Sequence, residues 1–116
     1  MRDYKTLEIW KLSMKIVKIT YNYVKMFPSS EKFQLVNQMQ RSAVSITSNI
    51  AEGASRRSKK DFIRFLEIAL GSCFELETQF FIACDLGYLD QGNLASDLDQ
   101  IDKLKRMIYR FMQNTK

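Results

Sequence analysis

The sequence contains no histidine, and this absence removes much of the chemistry that enzymes use. Histidine is the commonest general base and metal ligand, and the Ser-His and Cys-His nucleophile arrangements both need it. A helical di-iron centre built on Glu-x-x-His motifs is excluded for the same reason. We therefore expect a protein that is not an enzyme and that holds no metal ion or other cofactor.

Proline and glycine are also scarce, with one proline and four glycines in 116 residues. An all-β protein needs many tight turns, and these two residues supply most of them, so the composition favours helices. Hydrophobic residues make up 46% and charged residues 27%, which is typical of a globular protein rather than of a disordered chain. At this length the sequence predicts one all-α domain that spans residues 1–116.

Two cysteines and the lack of long apolar runs indicate where the protein works. Cys73 and Cys84 lie in one predicted helix, about 16 Å apart, which is too far for a disulfide. Reduced, buried thiols of this kind are typical of a cytoplasmic protein. The first residues lack the apolar segment of a signal peptide, and charged residues interrupt the longest apolar stretch. We expect a soluble, cytoplasmic protein with no membrane contact.

Apolar residues recur three and four positions apart in four successive segments, the spacing that makes one face of a helix apolar. Four amphipathic helices with short connections predict antiparallel neighbours, that is, an up-down-up-down four-helix bundle. The stripes predicted to form its core are Leu7, Trp10, Met14, Val17, Tyr21 and Val24; Val36, Met39, Ala43, Ile46 and Ile50; Phe62, Leu66, Ala69, Cys73, Leu76, Phe80 and Ala83; and Leu94, Leu98, Ile101, Leu104, Ile108 and Phe111.

Turn and capping residues predict the ends of these helices. Pro28 ends the first helix, because the residue before a proline is pushed out of the helical conformation. Gly53 and Gly87 are the expected left-handed residues at the ends of the second and third helices. The candidate N-caps are Ser29 or Ser30 for the second helix and Ser58, with Asp61 three residues later, for the third.

The first helix carries a second apolar stripe, about 200° around the helix from the first. If it were exposed, each large side chain would forfeit about 1.5–3 kcal/mol of burial. Either a wide core encloses this helix more fully, or the stripe is buried against a second copy of the chain, which we favour. The third helix also has apolar residues beside its stripe, including Phe74 and Phe81. The predicted contact between copies consists of Ile9, Leu12, Ile16, Ile19 and Tyr23.

Basic residues are concentrated in the first half of the chain. Residues 1–60 contain twelve Lys/Arg against four Asp/Glu, a local charge of +8, whereas residues 61–116 contain six against nine, a local charge of −3. The densest patch joins the second and third helices; we call it the basic loop, and its cations are Arg56, Arg57, Lys59 and Lys60. The loop could neutralise the phosphates of RNA or DNA, with helix N–H groups adding donors. A solvated loop, or salt bridges to acidic residues of the third helix, are the alternatives.

Small polar residues follow the second helix beside its apolar stripe, and the third helix offers a matching polar side. This line is either a ligand cleft with converging polar groups or a hydrogen-bonded contact where small residues let two helices approach. We favour the structural interpretation, in which Asn49 fixes the register of the two helices. No nucleophile-and-base pair and no phosphate-binding glycine spacing accompanies it. We call this predicted contact the polar seam; its residues are Ser45, Asn49, Glu52, Glu75 and Gln79.

Several motifs are similar to those of one bacterial family. They are LEIWK at residues 7–11, QRSAVSI at 40–46, SNIAEG at 48–53, RSKKDFIRFL at 57–66, ALGS at 69–72 and ELETQ at 75–79. From Leu7 to Leu89 the chain resembles the 23S rRNA intervening-sequence proteins, also called the S23 ribosomal protein family. That family usually has proline where this chain has Thr47, and without the proline ring we expect a straighter second helix.

The resemblance implies a bundle that assembles into a homopentameric ring and has no established catalytic activity. The family name records where some of the genes lie and does not by itself imply RNA binding. A more distant relative, the accessory variability protein of diversity-generating retroelements, is a basic pentamer that associates with a reverse transcriptase and nucleic acid. We expect a non-enzymatic, self-assembling bundle that presents its basic loop to RNA or DNA. The alternative is a protein–protein scaffold or accessory subunit with no direct nucleic-acid role.

Overall fold

The computed structural model describes residues 2–115, which form four long helices and two short 3-10 helices. The predicted all-α class is confirmed, and the described residues contain no strand. Met1 and Lys116, at the ends of the predicted domain, lie outside the described residues. The long helices, α1 to α4 in chain order, span Glu8–Val24, Leu35–Ala54, Lys59–Asp85 and Gln91–Thr115, and the short ones span Tyr4–Thr6 and Ser29–Glu31.

The four helices pack in chain order around one core. α1 contacts α2 and α4, α3 contacts the same two helices, and the most extensive packing is between α2 and α3. The bundle measures 43 × 26 × 19 Å along its principal axes. The predicted up-down-up-down arrangement is confirmed. Because neighbours in sequence are neighbours in space, the α1–α2 side and the α3–α4 side lie on opposite sides of the bundle.

The stripes predicted for α2, α3 and α4 form most of the core. The whole α3 stripe, from Phe62 to Ala83, is buried, as is the α2 stripe except for Val36. In α4, Leu98 and Phe111 are partly buried against the core, and the other four predicted residues are buried. Each large apolar side chain buried in this way stabilises the bundle by about 1.5–3 kcal/mol.

α1 is rotated relative to the prediction. The prediction that Ile9, Leu12 and Ile16 contact a second copy is wrong, because these side chains are buried in the core of their own chain. Ile19 and Tyr23, from the same stripe, are partly buried. The wide-core interpretation therefore holds for the second stripe, and no second copy is needed to cover it.

Two buried hydroxyl residues explain why the apolar pattern selected the wrong face of α1. Ser13 and Thr20 lie in the core, where their hydroxyls donate to the carbonyls of Trp10 at 2.6 Å and of Ile16 at 2.8 Å. A hydroxyl that donates to a carbonyl of its own helix can be buried without leaving a donor unsatisfied. Serine and threonine are nevertheless not counted as apolar when a hydrophobic stripe is identified from the sequence. The core face of α1 thus contains polar residues that weaken its hydrophobic signal.

The stripe predicted for the core of α1 lies at the edge of the core instead. Only Val24 is fully buried, whereas Met14 and Tyr21 are 43% and 40% exposed. α1 therefore has one buried and one half-exposed apolar face. The remaining residues of the first stripe, Leu7, Trp10 and Val17, are partly buried.

The predicted start and end of α3 are both confirmed. The Ser58 hydroxyl accepts a hydrogen bond from the Asp61 N–H at 3.0 Å, and this caps the first turn. Gly87 has a φ of 81°, the left-handed conformation that glycine adopts without strain. The Tyr88 N–H then donates to the Ala83 carbonyl at 2.9 Å, which satisfies one of the last carbonyls of the helix.

The predicted ends of α2 are wrong. Ser29 and Ser30 lie in a 3-10 helix of their own, and α2 begins only at Leu35. Gly53 is not a left-handed terminal residue, because α2 continues through it to Ala54. These corrections lengthen the connection before α2 and shorten the one after it, which holds the basic loop close to the bundle.

Gly53 is needed for a close approach of α2 to α3. A Cβ atom at this position would lie 2.8 Å from the Phe65 Cβ and 2.9 Å from the Phe62 Cδ1, both closer than real Cβ contacts. Any larger residue would push the two helices apart where they enter and leave the basic loop. The glycine thus sets a packing distance and not a turn.

Tyr23 joins α1 to α4. Its hydroxyl donates to Asp97 Oδ2 at 2.5 Å, and its ring packs edge-on to Phe80 with 5.8 Å between ring centroids. The hydrogen bond to the carboxylate, followed by burial, raises the pKa of Tyr23 to about 12. Both ends of this side chain therefore have partners in their own chain, and the contact with a second copy predicted for it is not needed.

We expect Gly53→Ala to lower the free energy of unfolding by about 1–3 kcal/mol, because the added methyl group overlaps the Phe65 Cβ and forces α3 to shift. The matched control is Gly71→Ala in α3, where a Cβ has no atom within 4 Å and alanine should raise stability by about 0.5–1 kcal/mol. Urea unfolding followed by circular dichroism measures both. Equal effects of the two substitutions would contradict the close approach.

We expect Tyr23→Phe to lower the free energy of unfolding by about 1 kcal/mol at pH 7, the value of a typical hydrogen bond. The difference should narrow between pH 10 and about pH 12, because the unfolded phenol ionises near pH 10 while the folded one keeps its proton until about pH 12. Tyr21→Phe, at an exposed position of the same helix, should change stability by less than about 0.5 kcal/mol. Denaturant titrations at pH 10 and at about pH 12 measure this change. A difference in unfolding free energy between wild type and Tyr23→Phe that grows with pH would contradict the prediction.

Candidate functional site

The basic loop projects from one end of the bundle. Its cations, Arg56, Arg57, Lys59 and Lys60, are all exposed. They lie in the short connection that leaves α2 at Ala54 and in the first turn of α3, where the helix dipole adds positive potential. The structure thus presents the four predicted cations together at a helix N-terminus.

Arg56 is the one cation of the basic loop that forms an ion pair within the described residues. Its guanidinium lies 3.0 Å from Glu52 Oε2 and stacks over the Phe65 ring at 4.8 Å from the centroid. This pair is exposed and lies within one turn, so it contributes little to stability. The alternative of salt bridges from the loop to Glu67, Glu75, Glu77 or Asp85 of α3 is not realised within residues 2–115; Glu77 instead pairs with Lys105 of α4 at 3.0 Å.

A fifth cation, Arg2, joins the basic loop, and the sequence pattern gave no sign of it. The Arg2 N–H donates to the Ala54 carbonyl at 3.0 Å, which ties the start of the chain to the end of α2. The Arg2 guanidinium lies 5.4 Å from the ring centroids of both Phe62 and Phe111. We call this group the basic end; its members are Arg2, Arg56, Arg57, Lys59 and Lys60.

The polar seam runs along the contact between α2 and α3. The Ser45 hydroxyl lies 2.8 Å from the Ser72 hydroxyl, and the Ser42 hydroxyl donates to Glu75 Oε1 at 2.8 Å. These bonds cross from one helix to the other, which is the structural role expected for the seam. Gln79 lies on the same line, one turn beyond Glu75, and is buried.

Two members of the predicted seam have other roles. Asn49 does not bridge the helices: its amide donates to the Ser45 carbonyl at 2.8 Å and to the Ser45 hydroxyl at 3.1 Å, both on its own helix. Glu52 pairs with Arg56 at the end of α2 and belongs to the basic loop. The register of α2 and α3 is therefore set by the serine contacts and by the close approach at Gly53.

A groove of about 370 Å³ opens beside the seam. The side chains of Ser42, Ser45 and Glu75 form hydrogen bonds, whereas Gln79 is only 7% exposed and its Oε1 atom is buried with no partner in the described part of the chain. Buried side-chain oxygens without a partner are rare in folded proteins. The residues that line the groove are Gln38, Arg41, Ser42, Ser45, Glu75 and Gln79.

Two apolar surfaces face outward on opposite sides of the bundle. On the α3–α4 side, Phe74 and Tyr109 are 52% and 57% exposed and line a groove of about 550 Å³. On the α1–α2 side, Met14, Tyr21 and Val44 are exposed. Exposed patches of large apolar side chains mark surfaces that bind a partner in many proteins. We call these the α3–α4 face and the α1–α2 face.

The cysteines are poorly suited to nucleophilic chemistry. Burial raises the pKa of Cys73 to about 12, and burial with nearby acidic residues also raises the pKa of Cys84. Both thiols therefore stay protonated at neutral pH, whereas a nucleophile needs the thiolate. Among residues 2–115, no three acidic or cysteine side chains lie close enough to hold a metal ion. No helix in this range is long and apolar enough to cross a membrane.

Comparison with known proteins places the chain in a family. The model of the 23S rRNA-intervening sequence protein family matches residues 5–110. A protein with unknown function from the S23 ribosomal protein family of Bacteroides thetaiotaomicron VPI-5482 has the same fold, with a TM-score of 0.82 and 24% sequence identity over 90% of this chain and 97% of that chain. Comparison with curated proteins gives no match. The chain belongs to the 23S rRNA-intervening sequence protein family.

Proposed function

We propose that this protein is a non-catalytic, self-associating helical bundle that binds the phosphates of RNA or DNA at its basic end. The observation that carries the proposal is the grouping of five exposed cations at one end of the bundle, with only Arg56 in an ion pair among the described residues. When unpaired cations of this kind contact a nucleic-acid backbone, the counterions condensed on its phosphates are released, and this release favours binding.

The local geometry of the basic end supports phosphate contact. Ser58 caps α3 and fixes the loop, so that Arg57, Lys59 and Lys60 project from an ordered helix start rather than from a flexible tail. The N-terminal end of α3 carries a partial positive charge, which attracts anions. No side-chain pattern for reading base edges accompanies these cations, so we propose contact that depends on charge and not on sequence.

Self-association is proposed on the two apolar faces. The α1–α2 face exposes Met14, Tyr21 and Val44, and the α3–α4 face exposes Phe74 and Tyr109. Their opposite positions on the bundle allow a contact of one copy's α1–α2 face with the next copy's α3–α4 face. A head-to-tail contact of this kind forms a closed ring when its rotation permits, and the family resemblance implies five copies. A ring gathers several basic ends and multiplies their phosphate contacts.

The second candidate function is a protein scaffold without a nucleic-acid role. The observation that favours it is the groove on the α3–α4 face, where Phe74 and Tyr109 expose large aromatic surfaces. Aromatic residues of this kind are common anchors at protein–protein interfaces. In this alternative, the positive charge serves solubility alone.

We expect Arg57→Ala/Lys59→Ala/Lys60→Ala to weaken binding of a labelled RNA hairpin and of the DNA with the same sequence. The slope of log affinity against log salt should become shallower by about 2–3, because each lost phosphate contact removes about 0.7–0.9 from it. Fluorescence anisotropy across a salt series measures the affinity of each variant.

The matched control for this experiment removes three exposed lysines from α1 and the residue after it, in Lys15→Ala/Lys18→Ala/Lys25→Ala, and so changes the net charge equally. This control should retain most of the wild-type slope. Equal losses in the two triple variants would show that net charge alone attracts the nucleic acid. If the affinity of the wild type does not depend on salt concentration and the loop variant binds equally well, the scaffold remains the supported function.

We expect Tyr21→Glu, on the α1–α2 face, and Phe74→Glu, on the α3–α4 face, each to reduce the particle to a monomer in sedimentation velocity. A buried carboxylate without a partner in an apolar contact is strongly unfavourable. Leu86→Glu is the control, since Leu86 is 54% exposed but lies at the end of α3, outside both faces. Circular dichroism should show full helicity in all three variants.

Mixing the two interface variants tests the head-to-tail arrangement directly. Each variant keeps one intact face, so an equimolar mixture of Tyr21→Glu and Phe74→Glu should form dimers but no larger ring. An arrangement in which each face contacts its own copy predicts a different result, because each variant alone would still form dimers through its intact face. A wild-type chain that sediments as a monomer contradicts self-association altogether.

A further inference from the structure

Two grooves follow the contact between α3 and α4 away from the basic end. One, of about 530 Å³, lies at the start of α3, and the other, of about 550 Å³, lies further along the same pair of helices. They are consecutive, because Glu67 lines the first and Leu70, one helical turn later, lines the other. We call the two grooves together the α3–α4 path; it extends over Lys59–Phe74 of α3 and Asp102–Thr115 of α4, a length of about 22 Å.

Cations outnumber carboxylates along the α3–α4 path. Six Lys or Arg side chains line it, against the two carboxylates of Glu67 and Asp102. Three of the six cations form ion pairs within residues 2–115, whereas Lys59, Lys60 and Arg110 form none there. The positive charge of the basic end therefore continues along the side of the bundle, where it can contact further phosphates.

Two aromatic rings lie in the same path. Phe74 and Tyr109 are 52% and 57% exposed, and they line one groove from opposite helices. The Lys105 ammonium lies 4.5 Å from the Phe74 ring centroid and is held by Glu77 at 3.0 Å, so the ring has a fixed neighbour and remains half open. Every nucleobase has a flat face, and stacking of a base on an exposed aromatic ring raises affinity about five- to 150-fold.

We propose that the α3–α4 path binds a single strand of nucleic acid, with its phosphates on Lys59, Lys60 and Arg110 and with unstacked bases on Phe74 and Tyr109. This inference rests on the proposed phosphate contact at the basic end and adds the kind of strand that is bound. Cations that follow the backbone, together with aromatic rings that receive bases, are typical of proteins that bind single strands without sequence preference. A duplex fits the path less well, because its bases are stacked on one another and present only their edges.

Glu67 distinguishes this strand from a positively charged occupant. It forms no ion pair within the described part of the chain, and its carboxylate lies between the basic end and the two aromatic rings. A phosphate backbone that passes this carboxylate is repelled by it. Glu67→Gln should therefore leave the affinity for a single strand unchanged or raise it by up to about threefold. A basic peptide in the same path would lose affinity in this variant.

The strand and a second copy of the chain need the same two rings. The proposed contact between copies also covers Phe74 and Tyr109, so a bound strand should reduce the particle size in sedimentation velocity. Leucine substitutions separate the two partners, because leucine keeps the surface apolar for a second copy and removes the flat ring on which a base stacks.

Fluorescence anisotropy with labelled oligothymidine, and with the same strand paired to oligoadenine, tests the proposal. The wild type should bind the single strand more tightly than the duplex. Phe74→Leu and Tyr109→Leu should each weaken binding of the single strand about fivefold or more and should change binding of the duplex by less than about twofold. Tyr109→Phe keeps the ring and should bind as the wild type does. Tyr21→Leu is the matched control, since Tyr21 is an exposed aromatic residue on the opposite side of the bundle.

A salt series with the same probe tests the phosphate contact. Arg110→Gln should make the slope of log affinity against log salt shallower by about 0.7, the value for one phosphate of a single strand. The same substitution should leave binding of the duplex nearly unchanged, because Arg110 lies beyond the basic end.

The outcomes separate this inference from the proposed function. If both leucine variants bind oligothymidine as the wild type does while the triple variant of the basic loop does not, the single-strand path is wrong and phosphate contact at the basic end stands. If neither the single strand nor the duplex binds, both proposals are wrong. A particle that Phe74→Glu dissociates but that bound oligothymidine leaves intact also overturns the inference, because the two rings would then still be covered by a second copy.

Discussion

The close packing of α2 against α3 is the constraint on which every candidate site depends. At one end, Gly53 lets the backbone of α2 approach Phe65 to a distance that no side chain tolerates. Further along, Ser45 and Ser72 meet at hydrogen-bond distance, which only small residues permit. The same line of contact therefore holds the basic loop at one end of the bundle and creates the polar groove along its side.

The helices of this protein follow from the sequence wherever their apolar stripe is unambiguous. α3 has one dominant stripe, and every predicted residue from Phe62 to Ala83 is buried. α1 has two stripes of similar strength, and its core face also includes the hydroxyls of Ser13 and Thr20. Apolar spacing cannot rank two such faces, because the choice depends on which one α4 meets through Tyr23 and Asp97, a contact between residues far apart in sequence.

The candidate sites divide in the same way. The cations of the basic loop are contiguous in sequence, so their grouping could be predicted without a fold. The position of Arg2 could not, because it depends on a backbone bond to Ala54, and neither could the unsatisfied state of Gln79. Whether a buried side-chain amide has a hydrogen-bond partner depends on where the neighbouring donors and acceptors lie and on the bonds that they already form. A sequence pattern gives the residue types, but it does not show which donors and acceptors are already used in other hydrogen bonds.

The proposed ring contact and the basic end use different surfaces of the bundle and are therefore compatible. A ring built from the α1–α2 face and the α3–α4 face occupies two opposite sides of each copy. The basic end lies at the tip of the bundle, where the ring contact does not cover it. The polar groove adjoins the α1–α2 face, because Arg41 and Ser45 line it and also line a second groove with Tyr21 and Val44.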